Sequence, residues 1–382
     1  PMQAKPDDKQ PSGSRGAVRI YAFPGDAEAE PEARHLAAAL RQRGLVVLDG
    51  DAREGDPSIA AVIDLGGGSW LDQVGSGGPE VPTLVLAGQP PHRMRRSLVH
   101  ALRAHPKLIL GLKDAAHHRF MAFLLAGRPE EAGRLFTCPP GLPEPQSLPA
   151  DADRPIAVLM TRDLPGGRLP VHIRDSWRDH DAGSRRLLGD ILDEARVNPA
   201  KPLEDIAVEV AQTLVHDIGT GRLLDLAARV AEVLEAEAVL AAFKALSRRP
   251  DAVVIGGGWP GLAGPDTRAR LTGALPRASR LAFYARSKTA LFPHAGQHGP
   301  ARDVALSLSV GCFPLASDHG FYEDAFDDGI DRVPHPDLFG LILDGRLADG
   351  DLAERARATL VKALPRHGWA VRAAEMMAVL AG

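Results

Sequence analysis

The sequence is poor in cysteine, in excess positive charge and in long apolar runs. Two cysteines in 382 residues, Cys138 and Cys312, are too few for a disulfide framework or a multi-cysteine zinc site. Lys and Arg number 45 against 49 Asp and Glu, so the formal charge of −4 argues against the basic field that nucleic-acid binding needs. No stretch approaches the roughly 18 consecutive apolar residues of a membrane span. These absences predict a cytoplasmic protein with neither a membrane span nor a nucleic-acid partner.

The length predicts two or three domains of about 100–200 residues each. Residues 1–15 are polar and predict a disordered tail. Short apolar strands alternate with helical patterns over residues 16–138, which is typical of a parallel sheet built from βαβ crossovers. The Pro-rich segment 139–154 predicts a linker, and 155–382 returns to an α/β pattern that contains a helical block. We therefore expect an α/β protein of two Rossmann-like domains facing a central cleft, with the last helix packed back on the first domain.

Glycine runs follow two of the predicted strands, at Gly66–Gly68 and Gly256–Gly258. Glycine lets backbone N–H groups approach a phosphate, so Gly257 and Gly258 are candidates for anion binding. Neither run has the G-x-G-x-x-G spacing or the lysine of a P-loop. A tight strand-to-helix turn is the alternative explanation of both runs.

The segment 287–299 runs from a predicted strand into a loop that holds His294, His298 and Gly299. A helix begins directly after this loop, and its free N–H groups and dipole attract an anion. Arg302 in the first turn is unfavourable for the helix dipole unless a phosphate or carboxylate lies nearby. The alternative is an ion pair of Arg302 with Asp303 or Asp318, beside two solvated histidines.

An acidic segment, Ala316–Asp328, follows the predicted strand CFPLA and is expected to be a loop. Its carboxylates Asp318, Glu323 and Asp324 lie at the carboxyl end of a strand and could hold ribose or sugar hydroxyls. The alternative is a solvated acidic loop that caps a helix. No metal site is predicted.

Eight motifs occur in a fixed order from Ala252 to the end: AVVIGGGW, LTGAL, RLAFYARSKTALFPH, AGQHG, ARDVALSLSVG, CFPLASD, GFYEDAF and HGWAVRAAEMM. This order resembles the carboxyl-terminal domain of GT-B glycosyltransferases. It is most similar to the group of spore-maturation CgeB-like proteins, whose members resemble family 4 retaining transferases. The resemblance covers the last third of the chain and extends to the helical block at 174–247, whereas the first domain matches in architecture alone.

The excess of arginine over lysine and the abundance of alanine predict a bacterial protein. The resemblance implies a glycosyltransferase that moves a sugar from a nucleotide-sugar donor to a surface polysaccharide, lipid or protein acceptor, with no cofactor and no metal. Its implied catalytic residues are His294, Asp318 and Glu323. Its implied donor-binding residues are Gly257, Gly258, His298, Gly299, Arg302, Asp303 and Asp324. Its implied acceptor-side residues in the first domain are Gly25, Asp26, Asp64 and Gly67. The oligomeric state stays open.

The sequence departs from the family 4 pattern, in which two glutamates flank the loop-to-helix turn. The first position falls within residues 295–297, which are not acidic, and the second aligns with Leu306, one turn after Asp303. Either Asp303 and the acidic residues of 318–324 replace the glutamates, or the donor is handled differently. A non-catalytic GT-B-like scaffold in a surface-assembly pathway is therefore the alternative function.

Overall fold

The computed structural model describes residues 17–21, 29–49, 59–65, 81–87, 91, 94, 96–139, 141–146, 154–199, 201–214, 218–294, 302–318 and 320–381. The predicted disordered tail at 1–15 lies outside these residues.

The first sheet is parallel and all six of its strands lie between residues 17 and 137. The strands are β1 (Ala17–Tyr21), β2 (Val47–Asp49), β3 (Ile59–Asp64), β4 (Thr83–Leu86), β5 (Leu108–Leu112) and β6 (Leu135–Thr137). They are ordered β2-β1-β3-β4-β5-β6. Every residue of β1 is buried, as expected for a parallel sheet covered on both faces. The helices of this half are α1 (Ala29–Gln42), α2 (Arg96–Ala104), α3 (Ala115–Leu124) and α4 (Pro129–Ala132).

The second sheet is also parallel and six-stranded. Its strands are β7 (Ile156–Thr161), β8 (Ala252–Ile255), β9 (Arg270–Thr272), β10 (Ser287–Phe292), β11 (Phe313–Ser317) and β12 (Asp331–Val333). Their order, β12-β11-β10-β7-β8-β9, is that of a doubly wound fold. The chain proceeds from β7 to one edge and from β10 to the other, so the topological switch point lies between β7 and β10.

Ten helices are described in the second half, and those between residues 170 and 247 form the helical block. The ten helices are α5 (Pro170–Asp175), α6 (Ala182–Val197), α7 (Leu203–Leu214), α8 (Thr220–Ser247), α9 (Arg277–Ala285), α10 (Arg302–Ser309), α11 (Gly320–Phe326), α12 (Phe339–Leu347), α13 (Leu352–His367) and α14 (Trp369–Leu380). No helix within the described ranges is long and apolar enough to cross a membrane.

One sequence expectation is corrected by these helices. The acidic segment expected to be a loop contains α11, because Tyr322, Ala325 and Phe326 repeat at helical spacing and are buried.

The two halves meet through packed side chains. Helix α14 lies against the first sheet, where Trp369, Met376 and Leu380 share a core with Leu36 of α1 and Ile63 of β3. Helix α3 packs on α7 of the helical block. The last helix of the chain is thus part of the core of the first sheet.

The segment expected to be a linker is anchored at several points. Leu142 is buried and forms a bridge to Gly368. Arg154 is also buried, and its guanidinium donates hydrogen bonds of 2.8–3.0 Å to the carbonyl oxygens of Ser287, Val310 and Gly311. These bonds attach the segment before β7 to the start of β10 and to the turn after α10.

Candidate active site at the carboxyl edge of the second sheet

Polar side chains follow three neighbouring strands of the second sheet. Arg162 comes directly after β7, His294 follows β10 and Asp318 comes directly after β11. Parallel strands place their carboxyl ends at one edge, so the three residues lie close together. Arg162 and His294 flank the switch point, which is where ligands bind in doubly wound folds.

His294 is the centre of a hydrogen-bonded network and is 7% exposed. Its backbone N–H donates to Ser317 Oγ at 2.8 Å. Arg162 Nη2 lies 3.2 Å from His294 Nδ1 and the Tyr322 hydroxyl lies 3.2 Å from Nε2. A guanidinium only donates, so Nδ1 is the acceptor and Nε2 carries the proton of the neutral ring. The imidazole therefore presents a fixed tautomer at the switch point.

Arg162 is a site residue that the sequence predictions missed. Its guanidinium contacts His294 and also pairs with Glu235 of α8 at 3.1 Å. Its backbone carbonyl accepts a 2.7 Å hydrogen bond from Trp259 Nε1. The sequence signal that could have identified Arg162 is its position directly after the buried strand IAVLMT. Nothing local in the sequence indicates its two side-chain partners, because both are distant along the chain.

The glycine turn 256–258 is required by the backbone. Gly256 has φ of 153°, and a Cβ there would lie 2.1 Å from the carbonyl oxygen of Arg162. Gly258 has φ of 88°, in the left-handed region that favours glycine. The N–H of Gly257 donates to Asp163 Oδ1 at 2.6 Å. The tight-turn alternative thus accounts for these glycines, and donor binding by Gly257 and Gly258 stays a prediction.

Two of the predicted acidic residues, Asp318 and Glu323, lie at or just after the end of β11. Asp318 and Glu323 both pair with Arg332 Nη1, at 3.5 and 3.2 Å. The structure therefore brings these two predicted residues together on one guanidinium. The backbone of Asp324 belongs to α11, and its side chain is outside the described part of the structure.

Arg302 pairs with neither Asp303 nor Asp318, the partners that the sequence suggested. Its Nε lies 2.5 Å from Glu32 Oε1 of α1, and the two side chains are 20% and 10% exposed. Asp303 instead lies 3.8 Å from Arg280. The ion pair expected within the second half is formed across the two halves of the chain.

The predicted acceptor-side residue Asp64 ends β3 and is completely buried. The other predicted positions in loops lie outside the described residues: Gly25, Asp26, Gly67, His298 and Gly299. The acceptor role of Asp64 stays a prediction.

Two cavities flank the Arg162–His294 pair. A polar cavity of about 620 Å³ is lined by two arginines, Arg162 and Arg229, and by four carboxylates, those of Asp163, Asp225, Glu232 and Glu235. A mainly apolar cavity of about 380 Å³ includes His294 and Leu234 in its wall. Leu234 and Glu235 are adjacent on α8 and point about 100° apart, so α8 forms the partition between the two cavities.

No protein-family model matches the chain, and no curated protein matches it. Solved structures do match over nearly the whole length. One is an alpha-glucosyltransferase in complex with UDP-glucose and DNA containing an abasic site, 10% identical, with 96% of this chain and 98% of that chain covered and a TM-score of 0.52. A second is an alpha-glucosyltransferase in complex with UDP and a 13-mer DNA containing an HMU base, 9% identical, with the same coverages and TM-score. The chain has a GT-B fold.

AviGT4, a glycosyltransferase involved in avilamycin A biosynthesis, also matches, at 13% identity, 96% and 97% coverage and a TM-score of 0.48. At these identities the comparisons establish the fold alone. The predicted α/β class with two Rossmann-like sheets is confirmed.

Two buried hydroxyl groups, those of Thr161 and Tyr284, form a hydrogen bond next to the switch point. Thr161, the last residue of β7, shares a 2.5 Å hydrogen bond with the Tyr284 hydroxyl. Burial raises the pKa of Tyr284 well above its ordinary value, and the charge of Asp303 raises it further. The phenol therefore stays neutral at physiological pH. Over the described ranges, no group of three or more His, Cys, Asp or Glu side chains is placed to hold a metal ion.

Proposed function

We propose that this chain is a glycosyltransferase that moves a sugar from a nucleotide-sugar donor to an acceptor. The observation that carries the proposal is the 3.2 Å contact between Arg162 and His294 at the switch point, beside an open polar cavity. A guanidinium stabilises the negative charge that develops on a leaving diphosphate. An imidazole at the same point can bind a sugar hydroxyl or transfer a proton. The complex of a similarly folded enzyme with UDP-glucose supports this interpretation.

In this proposal the donor diphosphate lies in the polar cavity between Arg162 and Arg229. Among described residues, no carboxylate lies within ion-pairing distance of Arg229, so its charge is available to a ligand. His294 faces the donor sugar, with Asp318 and Glu323 nearby. Arg302 is already paired with Glu32, so that carboxylate competes with a phosphate for the guanidinium.

The finer assignments are also part of the proposal. The enzyme is a cytoplasmic, bacterial, metal-independent hexosyltransferase of the CgeB-like group, and its acceptor is a glycan, lipid or protein. The formal charge of −4 supports an acceptor other than nucleic acid, although the similarly folded alpha-glucosyltransferases are in complex with DNA.

Nucleotide binding is the direct test of the donor site. We expect one of UDP, GDP, CMP and TDP to raise the thermal unfolding temperature, because a ligand that binds the native state stabilises it by mass action. Arg162→Met is expected to abolish the shift. Arg248→Met, an exposed position just after α8, is the matched control and should retain it. The absence of a shift with every nucleotide would contradict the donor site.

A non-catalytic scaffold is the second candidate. It is favoured by the internal pairing of predicted site residues: Arg302 with Glu32, and Asp318 and Glu323 with Arg332. A scaffold predicts that Arg302→Ala leaves biological function intact. Loss of function in Arg302→Ala but not in Glu32→Gln, with both variants folded, would contradict the scaffold, because Glu32→Gln removes the same ion pair.

A further inference from the structure

The apolar cavity lies on a different face of α8 from the polar cavity. Its volume is about 380 Å³, within the range of small-molecule sites. One wall comes from the helical block, with Leu203, Leu234 and Leu240, and the facing wall comes from the ends of β11 and β12, with Ser317 and Val333. The cavity shares His294, Ser317 and Asp318 with the carboxyl edge of the sheet, but none of the described residues that line the polar cavity.

The charges around this cavity are mostly paired within the protein. Arg196 Nε lies 3.2 Å from Glu237 Oε2 and Lys201 Nζ lies 2.5 Å from Glu209 Oε2. Asp318 pairs with Arg332.

Two further basic side chains line the cavity. His335 Nδ1 lies 3.6 Å from Asp337 Oδ2. Lys244 of α8 also lines the cavity, and within the described part of the chain no carboxylate lies within ion-pairing distance of its ammonium. Among the described residues that line the apolar cavity, Lys244 is thus the one lysine or arginine without a carboxylate partner.

We propose that this cavity binds a small amphiphile with an apolar body and one anionic group. The leucine and valine side chains contact the apolar body, and burial of that surface provides most of the affinity. Lys244 contacts the anionic group and orients the molecule. The proposal goes beyond the glycosyltransferase function, because it requires neither a sugar donor nor the polar cavity.

Two dyes that differ in one charge test the occupant. 8-Anilinonaphthalene-1-sulfonate has an apolar aromatic body with one sulfonate, and N-phenyl-1-naphthylamine has the same body without it. We expect saturable, one-to-one fluorescence binding of the sulfonate dye to the native chain and weaker binding of the neutral dye. Binding that does not saturate, or equal affinity for the two dyes, would overturn the proposal.

Matched variants on α8 locate the dye. Ala241 lines the apolar cavity and Ala228 lines the polar one, so a tryptophan at each position fills a different compartment. Ala241→Trp is expected to weaken binding of the sulfonate dye at least about tenfold, because the body is excluded from its site. Ala228→Trp should leave dye binding unchanged. The reverse pattern would place the dye in the polar cavity and overturn the proposal.

Lys244→Met keeps the test decisive if Ala241→Trp fails to fold, because Lys244 is exposed. We expect about threefold weaker binding of the sulfonate dye, the size of an exposed ion pair, and no change for the neutral dye. Equal effects on both dyes would contradict a role of the charge. The UDP, GDP, CMP and TDP shifts are measured separately, so a failure of the donor site and a failure of this cavity are distinguishable.

Discussion

The polar side chains at the carboxyl edges of the two sheets differ in their surroundings. At the second sheet, Arg162 and His294 bind each other next to two cavities. At the first sheet, the carboxylate that ends β3, Asp64, is completely buried, and the same sheet is covered by α14 through Trp369. Within the described residues, the second sheet therefore carries the groups available to ligands, and the first sheet is dominated by packing. Substitutions in the two regions should separate stability from ligand binding.

The largest expected effect is on the packing of the first sheet. Trp369 is 7% exposed, stacks on His35 at 6.5 Å between ring centroids and closes directly over Gly141. Trp369→Ala is expected to lower the free energy of unfolding by about 3–5 kcal/mol, because it removes buried area and leaves a cavity. Urea unfolding measures this loss. Val361→Ala, at a half-exposed position on α13, should change stability little. A Trp369→Ala variant of normal stability would contradict this view of the first sheet.

The next effect is at the glycine turn that supports the second sheet's edge. Gly256→Ala is expected to cost about 2–3 kcal/mol, because alanine is strained at this φ and its Cβ meets the carbonyl oxygen of Arg162. The displaced Arg162 should also weaken nucleotide binding. Gly261→Ala is the control, since a Cβ there meets nothing within 4 Å. Nucleotide binding and unfolding should both be measured. Unchanged nucleotide affinity and unchanged free energy of unfolding in Gly256→Ala would show that the turn does not position Arg162.

The fold was largely predictable from the sequence because its strands are short, apolar runs between helical repeats. β12 was missed because DRV is two-thirds charged and only Val333 of the strand is buried. α12 was missed because Gly340 and Gly345 interrupt the helical pattern of FGLILDGRL. α11 was mistaken for a loop because its acidic residues obscured the buried Tyr322.

The candidate site was less predictable, because its contacts join distant segments. His294 and Asp318 were found from their positions after strands, a local signal. Arg162 is a candidate site residue because it contacts His294, and Arg302 pairs with Glu32 in α1. No local sequence pattern indicates either partner. Helix α1 belongs to the other half of the chain, so spacing within the second half suggested the wrong partner for Arg302.

The ion pair between the two halves is expected to have a smaller effect than either core substitution. A double-mutant cycle of Arg302→Met and Glu32→Gln should give a coupling of about 1 kcal/mol in the free energy of unfolding, because both side chains are only partly exposed. Urea unfolding of the four proteins gives this value. A coupling near zero would mean that the pair does not hold the halves together, and the same cycle repeated with nucleotide bound would detect an exchange of partners.

The smallest expected effect is the pH dependence that the two buried thiols give to stability. Cys138 lies beside the first sheet and Cys312 beside the second. Burial raises the pKa of Cys138 from 9.0 to about 12 and raises that of Cys312 still further. Folding therefore retains the thiol protons, so stability is unaffected below pH 9 and decreases as the pH rises from 9 towards 12. Iodoacetamide at pH 8 should label neither native thiol at an appreciable rate and both after unfolding, since only the thiolate reacts. Labelling followed by mass spectrometry distinguishes the two sites. Because Cys138 is 4% exposed and Cys312 is completely buried, Cys138 should react first as the pH is raised. If Cys312 reacted first, local opening beside the second sheet, and not the exposure of the thiols in the native state, would control the reaction.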